Sequence, residues 1–150
     1  MNRAVAACAL FVALLNAVPA LLGAFRWYRG EPSHAFWILL RVGQGSALLL
    51  AILAGSLAAA GHYSSDQLFY LYALLPLAVA FVAEQLRVAA AQTILDRHGL
   101  PSAQAVATLP EAEQRALVAE ILVREMTIMA LSAFVVVFLA LRAAGTAHGF

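Results

Sequence analysis

Polar and apolar positions alternate on a scale of whole helices, not single turns. Four apolar runs stand out: Ala4–Phe25, Ala35–Ala60, Leu68–Ala83 and Met126–Leu141. A hydrocarbon core about 30 Å thick needs ~20 helical residues to cross it, and each run reaches that length alone or with its flanking turns. The pattern predicts an all-α integral membrane protein, an antiparallel four-helix bundle in a single domain over residues 1–150. The spans fall at about 4–26, 34–60, 67–87 and 124–143. Helices 3 and 4 continue past the membrane. Leu68–His98 has no breaker except Pro76 until Gly99 and Pro101, which follow Arg97 and His98 as a helix stop. Thr108-Leu109-Pro110-Glu111 fits a capping box, with Thr108 as the N-cap of helix 4. The excess lengths predict a cytoplasmic helical hairpin over about 88–123, projecting ~15–20 Å and closed by the linker 100–107. Glu111, Glu113, Arg115 and Glu120 are its wet face, and Leu117, Ile121 and Leu122 its seam.

Small residues predict how the spans pack. Lipid tails are as apolar as leucine, so helices in a bilayer associate through close contact and interhelical hydrogen bonds. Gly43, Ala47, Ala51, Gly55 and Ala59 recur every four residues on helix 2, and helix 1 carries Ala9, Ala13, Ala17, Ala20 and Ala24. On helix 3, Ala73, Ala80, Glu84 and Ala91 lie within about 40° of one another at 100° per residue, which turns Glu84 inward. Leu68, Leu71, Leu75, Val79, Val82 and Leu86 then face lipid. Helix 4 offers two faces, one with Glu120, Arg124, Thr127, Leu131 and Phe134, the other with Met126, Ala130, Ala133, Val137 and Ala140. Periodicity does not choose between them. Pro19 and Pro76 fall near mid-span and predict kinks.

Charge orients the bundle. Arg26 and Arg29 follow the first run, and Arg87, Arg97, Arg115 and Arg124 lie between the third and fourth, whereas the turn between the second and third has no basic residue. The positive-inside rule places loops 1–2 and 3–4 in the cytoplasm and both termini outside. Arg3 and Val18-Pro19-Ala20 mimic a signal peptide, but cleavage there would export the Arg-rich loops, so the first run reads as a retained span. Trp27, Tyr28, Phe36 and Trp37 mark the cytoplasmic interface, and Tyr63, Phe69, Tyr70 and Tyr72 the outer one.

Composition narrows the class. Only 11% of residues are charged, against about a quarter in soluble domains, which agrees with a membrane protein. A net charge of +1 gives no electrostatic footprint for nucleic acid. Every basic residue is Arg, a composition that fits a GC-rich bacterial genome and the plasma (inner) membrane of such a cell. The single cysteine, Cys8, excludes an intrachain disulfide.

Ionisable groups inside spans are costly and turn inward. The candidate polar pocket comprises Asn16, Arg41, Gln44, Glu84, Arg87 and Arg124, open to the cytoplasm, with Arg41 paired to Glu84 and with Asn16 and Gln44 as its floor. The alternative is structural: a buried ion pair and snorkelling arginines that set helix register. No metal site is read; His62 and Asp66, a turn apart at the outer end of helix 2, come nearest to one, with His148 on the same side. The spacing of His34, His62 and His98 does not suit haem, and no cofactor is implied. No catalytic triad, phosphate loop or HExxH motif is present, which weighs against an enzyme.

Three functions remain. The first is a non-catalytic accessory, assembly or scaffold unit of the lipid bilayer, docking through the hairpin and forming a homo-oligomer or part of a larger membrane complex. The second is a small transporter or channel using Glu84 and Arg41. The third is a membrane enzyme or binder of a lipid or quinone.

Overall fold

A computed structural model describes residues 2–150. Four long helices carry nearly all of it: α1 (Asn2–Arg29), α2 (His34–Ala59), α3 (Leu68–Arg97) and α4 (Glu111–Thr146). No strand occurs among the described residues. All four helices are long and apolar enough to cross a membrane. α3 and α4, polar ends included, are the longest, about 45 Å and 54 Å at 1.5 Å per residue.

The helix ends follow from local chemistry. At the end of α3 the Leu100 N–H donates to the Leu95 carbonyl and the Gly99 N–H to the Asp96 carbonyl. That pair of bonds is the Schellman stop, and it needs a left-handed residue between them, here Gly99 at φ +67°. Leu95 and Leu100 then meet in one apolar cluster. The same two bonds close α1 at Gly30 and α2 at Gly61. Ser33 caps α2 by accepting the Phe36 N–H, and the Asp66 carboxylate accepts the Leu68 N–H where α3 begins. The capping box expected at Thr108 does not form. Thr108 belongs to a short 3-10 turn, Ala103–Thr108, and its hydroxyl donates to the Ala105 carbonyl. α4 begins at Glu111 after Pro110, and Gln114 ties the linker down by donating to the Leu109 and Ala107 carbonyls. Proline at the junction already fixes an extended entry, so no side-chain cap is needed to turn the chain.

α4 is the hub. It packs most extensively against α1 and α3 and only lightly against α2, while α2 leans on α1 and α3. Three apolar clusters stack along it. The first gathers Val5, Ala9 and Ala13 with Leu50, Ala54, Phe69, Ala140 and Ala143. The second gathers Ala20, Phe36, Leu40, Ala83, Met126, Met129 and Ala130. The third, Ile94, Leu95 and Leu117 with Ile121, holds the ends of α3 and α4 together. Leu117 and Ile121 occupy the seam as expected, whereas Leu122 is outside that cluster. Of the two faces of α4, the one with Met126, Ala130, Ala133 and Ala140 is inward.

Small residues do bring helices together, but not along the whole length anticipated. Gly43, Ala47 and Ala51 are buried, whereas Gly55 and Ala59 are exposed, because the buried face of α2 continues through Leu50 and Ala54 instead. The closest approach lies elsewhere, at Gly23: a Cβ there would stand 2.5 Å from the Ala130 Cβ and 2.7 Å from the Phe36 ring. Val79, expected to face lipid, packs partly buried against the first cluster. Pro19 and Pro76 are both buried, and α1 and α3 run on through them.

The last residues form a latch that periodicity could not reveal. The His148 carbonyl accepts the Ser65 N–H and the hydroxyls of Ser64 and Ser65. The Phe150 N–H donates to Asn2 Oδ1, and its ring packs edge-on against Phe69 at 5.0 Å. The chain end is thus pinned to the α2–α3 turn and to the start of α1.

Candidate functional site

Trp37 and Arg41 lie one turn apart on α2 and present their side chains toward α3. Arg41 Nη1 donates to Gln44 Oε1 and to Glu84 Oε1, each at 2.6 Å. The other Glu84 oxygen contacts Arg87 Nη2 at 3.0 Å. Arg87 Nη1 stands 3.8 Å from Glu125 Oε2 on α4, and its guanidinium lies over the Trp37 ring at 5.3 Å. One chain of charges therefore links α2, α3 and α4: Arg41, Glu84, Arg87, Glu125. It contains two cations and two anions, and each carboxylate faces at least one guanidinium. Arg87 Nε is buried and has no hydrogen-bond partner. Exposure falls along the chain, from 53% for the Arg41 side chain to 27% for Glu84 and 18% for Glu125. The Glu84, Arg87 and Glu125 charges are therefore screened less by salt than surface pairs, whereas the Arg41 end is open to solvent, and removing one member leaves its partner's charge uncompensated.

The structure brings Arg41, Gln44, Glu84 and Arg87 together and places Asn16 and Arg124 elsewhere. Asn16 is buried, and its Nδ2 donates to the Val12 carbonyl on its own helix and to the Gly43 carbonyl of α2. It clamps α1 to α2 where Gly43 lets the helices approach. It is not a floor to the charged cluster. Arg124 points the other way around α4, into a cavity of about 450 Å³ between the end of α1, α3 and α4. Adjacent positions on a helix project 100° apart, so Glu125 and Arg124 cannot serve one site. Trp37 and Glu125 are the members that sequence reasoning did not assign. The signal for Trp37 was its i,i+4 spacing from Arg41. Glu125 stands out in the sequence beside Arg124 as an ionisable residue near the membrane boundary, but its place in the cluster depends on which face of α4 is inward.

At the opposite end, His62 is exposed in the turn after α2, and Asp66 is engaged with the Leu68 N–H. His148 contributes its backbone carbonyl to the latch, with its side chain exposed. Among the described residues no group of three or more His, Cys, Asp or Glu side chains could hold a metal ion. Comparison with family models, with curated proteins and with solved structures finds no match to this chain.

Proposed function

We propose that the chain is a non-catalytic membrane protein, an accessory, assembly or scaffold unit. In this reading it is an antiparallel four-span bundle in a bacterial inner membrane, with both termini outside. The ends of α3 and α4, about 88–123, are a handle in the cytoplasm that docks a partner or a second copy. The observation that carries the reading is the closed charge chain Arg41–Glu84–Arg87–Glu125. A proton or ion site needs an acid free to change partners. Here the charges cancel and tie three helices at the level where the spans give way to the handle. The handle has its own apolar cluster around Leu117, which packs the ends of α3 and α4 against each other. The Arg asymmetry of the loops supports the orientation.

The test is site-specific photo-cross-linking from exposed handle positions Glu113 and Val118 in native membranes. A discrete cross-linked species from these positions, absent from probes at lipid-facing Leu21, is expected. A chain that stays monomeric and uncross-linked at both handle positions contradicts the proposal. Flux through reconstituted protein that falls with Glu84→Gln would replace it with the transporter reading.

A further inference from the structure

The cavity that takes Arg124 has a composition unlike the rest of the surface. Arg97 lines it from the last turn of α3 and Arg124 from α4, with Thr93, Glu120 and Trp27 between them. Neither arginine makes a hydrogen bond or an ion pair with any described residue. Glu120 stands one turn from Arg124 and pairs with neither. Elsewhere the chain pairs its arginines freely: Arg26 with Glu31, Arg41 with Glu84, Arg115 with Glu111. Side chains on a helix lean toward its N-terminus. α3 and α4 run in opposite directions in the reading above, so Arg97 and Arg124 lean toward each other, into the cavity from its two ends.

The cavity does not end there. Trp27 and Thr127 also line an adjoining apolar furrow of about 380 Å³ between α1 and α4. Its walls are Ala20, Gly23, Ala24 and Ala130, whose small side chains leave the space, with Leu131 and Phe134 along one side. A net-positive polar chamber opens into a greasy furrow at the level where the spans meet the cytoplasm.

We infer that this composite cavity is a binding site for one anionic glycerophospholipid of the inner leaflet. Arg97 and Arg124 hold the phosphodiester. The Glu120 carboxylate accepts a hydroxyl of the headgroup, and an acyl chain lies along the furrow past Ala24 toward Phe134. The inference rests on the four-span reading but not on the docking role. A lipid seated there would bridge α1 to the base of the handle, where protein contact between α1 and α3 is slight.

The test is native mass spectrometry of delipidated protein in detergent, offered equal phosphatidylglycerol, phosphatidylethanolamine and phosphatidylcholine. An arginine near an anionic lipid contributes about five-fold in binding. Phosphatidylglycerol should therefore be retained several-fold over the other two. Arg97→Gln and Arg124→Gln should each remove about five-fold, and together abolish the preference. Ala24→Trp, at an exposed position, should block the furrow and reduce adducts of all three lipids. Arg142→Gln, at the far end of α4 beside Tyr72, should change nothing. Neither cavity arginine has a partner to lose, so thermal unfolding of these variants should match that of the parent. Equal retention of the three lipids overturns the inference, as does a preference that survives the double substitution. Inorganic phosphate that displaces phosphatidylglycerol at equal concentration would assign a free-phosphate site instead. A chain that partitions into water without detergent fails the four-span reading. One that stays in detergent but shows no lipid preference fails only this site.

Discussion

Gly23→Ala isolates the tightest seam of the bundle. Alanine favours a helix over glycine by about 1 kcal/mol, so propensity alone predicts a gain. Packing opposes it. The new methyl would lie 2.5 Å from the Ala130 Cβ and 2.7 Å from Phe36 Cε2. Ordinary carbon contacts sit at about 3.5–4.0 Å, so α1 must back away by roughly 1 Å. Neither obstacle is the loose end of a flexible chain: one is bonded to the α4 backbone and the other is a fully buried ring. Overpacking of this kind costs about 1–3 kcal/mol, which leaves a net loss of up to ~2 kcal/mol after the propensity gain. Ala130→Gly removes the nearer obstacle, so in the double variant the two changes should couple favourably by about 1–2 kcal/mol. Gly45→Ala is the internal control, because no atom beyond the local backbone of α2 lies within 4 Å of a Cβ there and only the propensity gain of up to ~1 kcal/mol remains. The measurement is reversible unfolding in mixed micelles of mild and denaturing detergent, analysed as a double-mutant cycle. A Gly23→Ala protein as stable as Gly45→Ala, or a cycle with no coupling, would refute the claim that α1 meets α4 at this point.

Asn16→Leu should lower stability by about 1–3 kcal/mol, since it removes the bond to the Gly43 carbonyl and forces a branched side chain against the glycine; Gly43→Ala should do the same from the other side. Glu84→Gln should cost about 1–3 kcal/mol by taking from Arg41 its carboxylate and leaving Arg87 only its 3.8 Å contact with Glu125, and pairing it with Arg41→Gln should recover part of the loss in the same micelle assay. Gly149→Ala should release the latch, because φ is +84° and the Cβ would meet Ser65; hydrogen exchange at the Ser65 amide should then speed up. In a Cys8→Ser background, Ser102→Cys should react with an impermeant thiol reagent only in inverted vesicles, and Tyr63→Cys only in right-side-out cells. The reverse labelling would invert the proposed topology.

Periodic and compositional signals carried the helix count and most boundaries. They work because each arises within one helix: twenty apolar residues, a glycine stop, a serine cap. Thr108 shows the limit of such local rules, since Pro110 and the Gln114 side chain organised that entry without it. The charged cluster was half visible. Arg41, Gln44 and Glu84 announce themselves as polar residues in apolar runs, and the small-residue face of helix 3 turned Glu84 inward. Whether Asn16 and Arg124 share that space depends on how α1 and α4 are rotated, and rotation is a property of pairs of helices.

By itself, the sequence determined four membrane-length helices, an overlong third and fourth, and the presence of ionisable groups at their bases. Tertiary structure decided the rest: α4 as hub, Gly23 instead of Gly55 as a close contact, the division of Arg124 from Glu125 between two sites, and the latch at the chain end. The reason is physical. Hydropathy and capping are energies of one segment with its solvent or its own backbone. The faces of α4 are nearly equal in that respect, so only contact with Gly23, Phe36 and Ala83 distinguishes them.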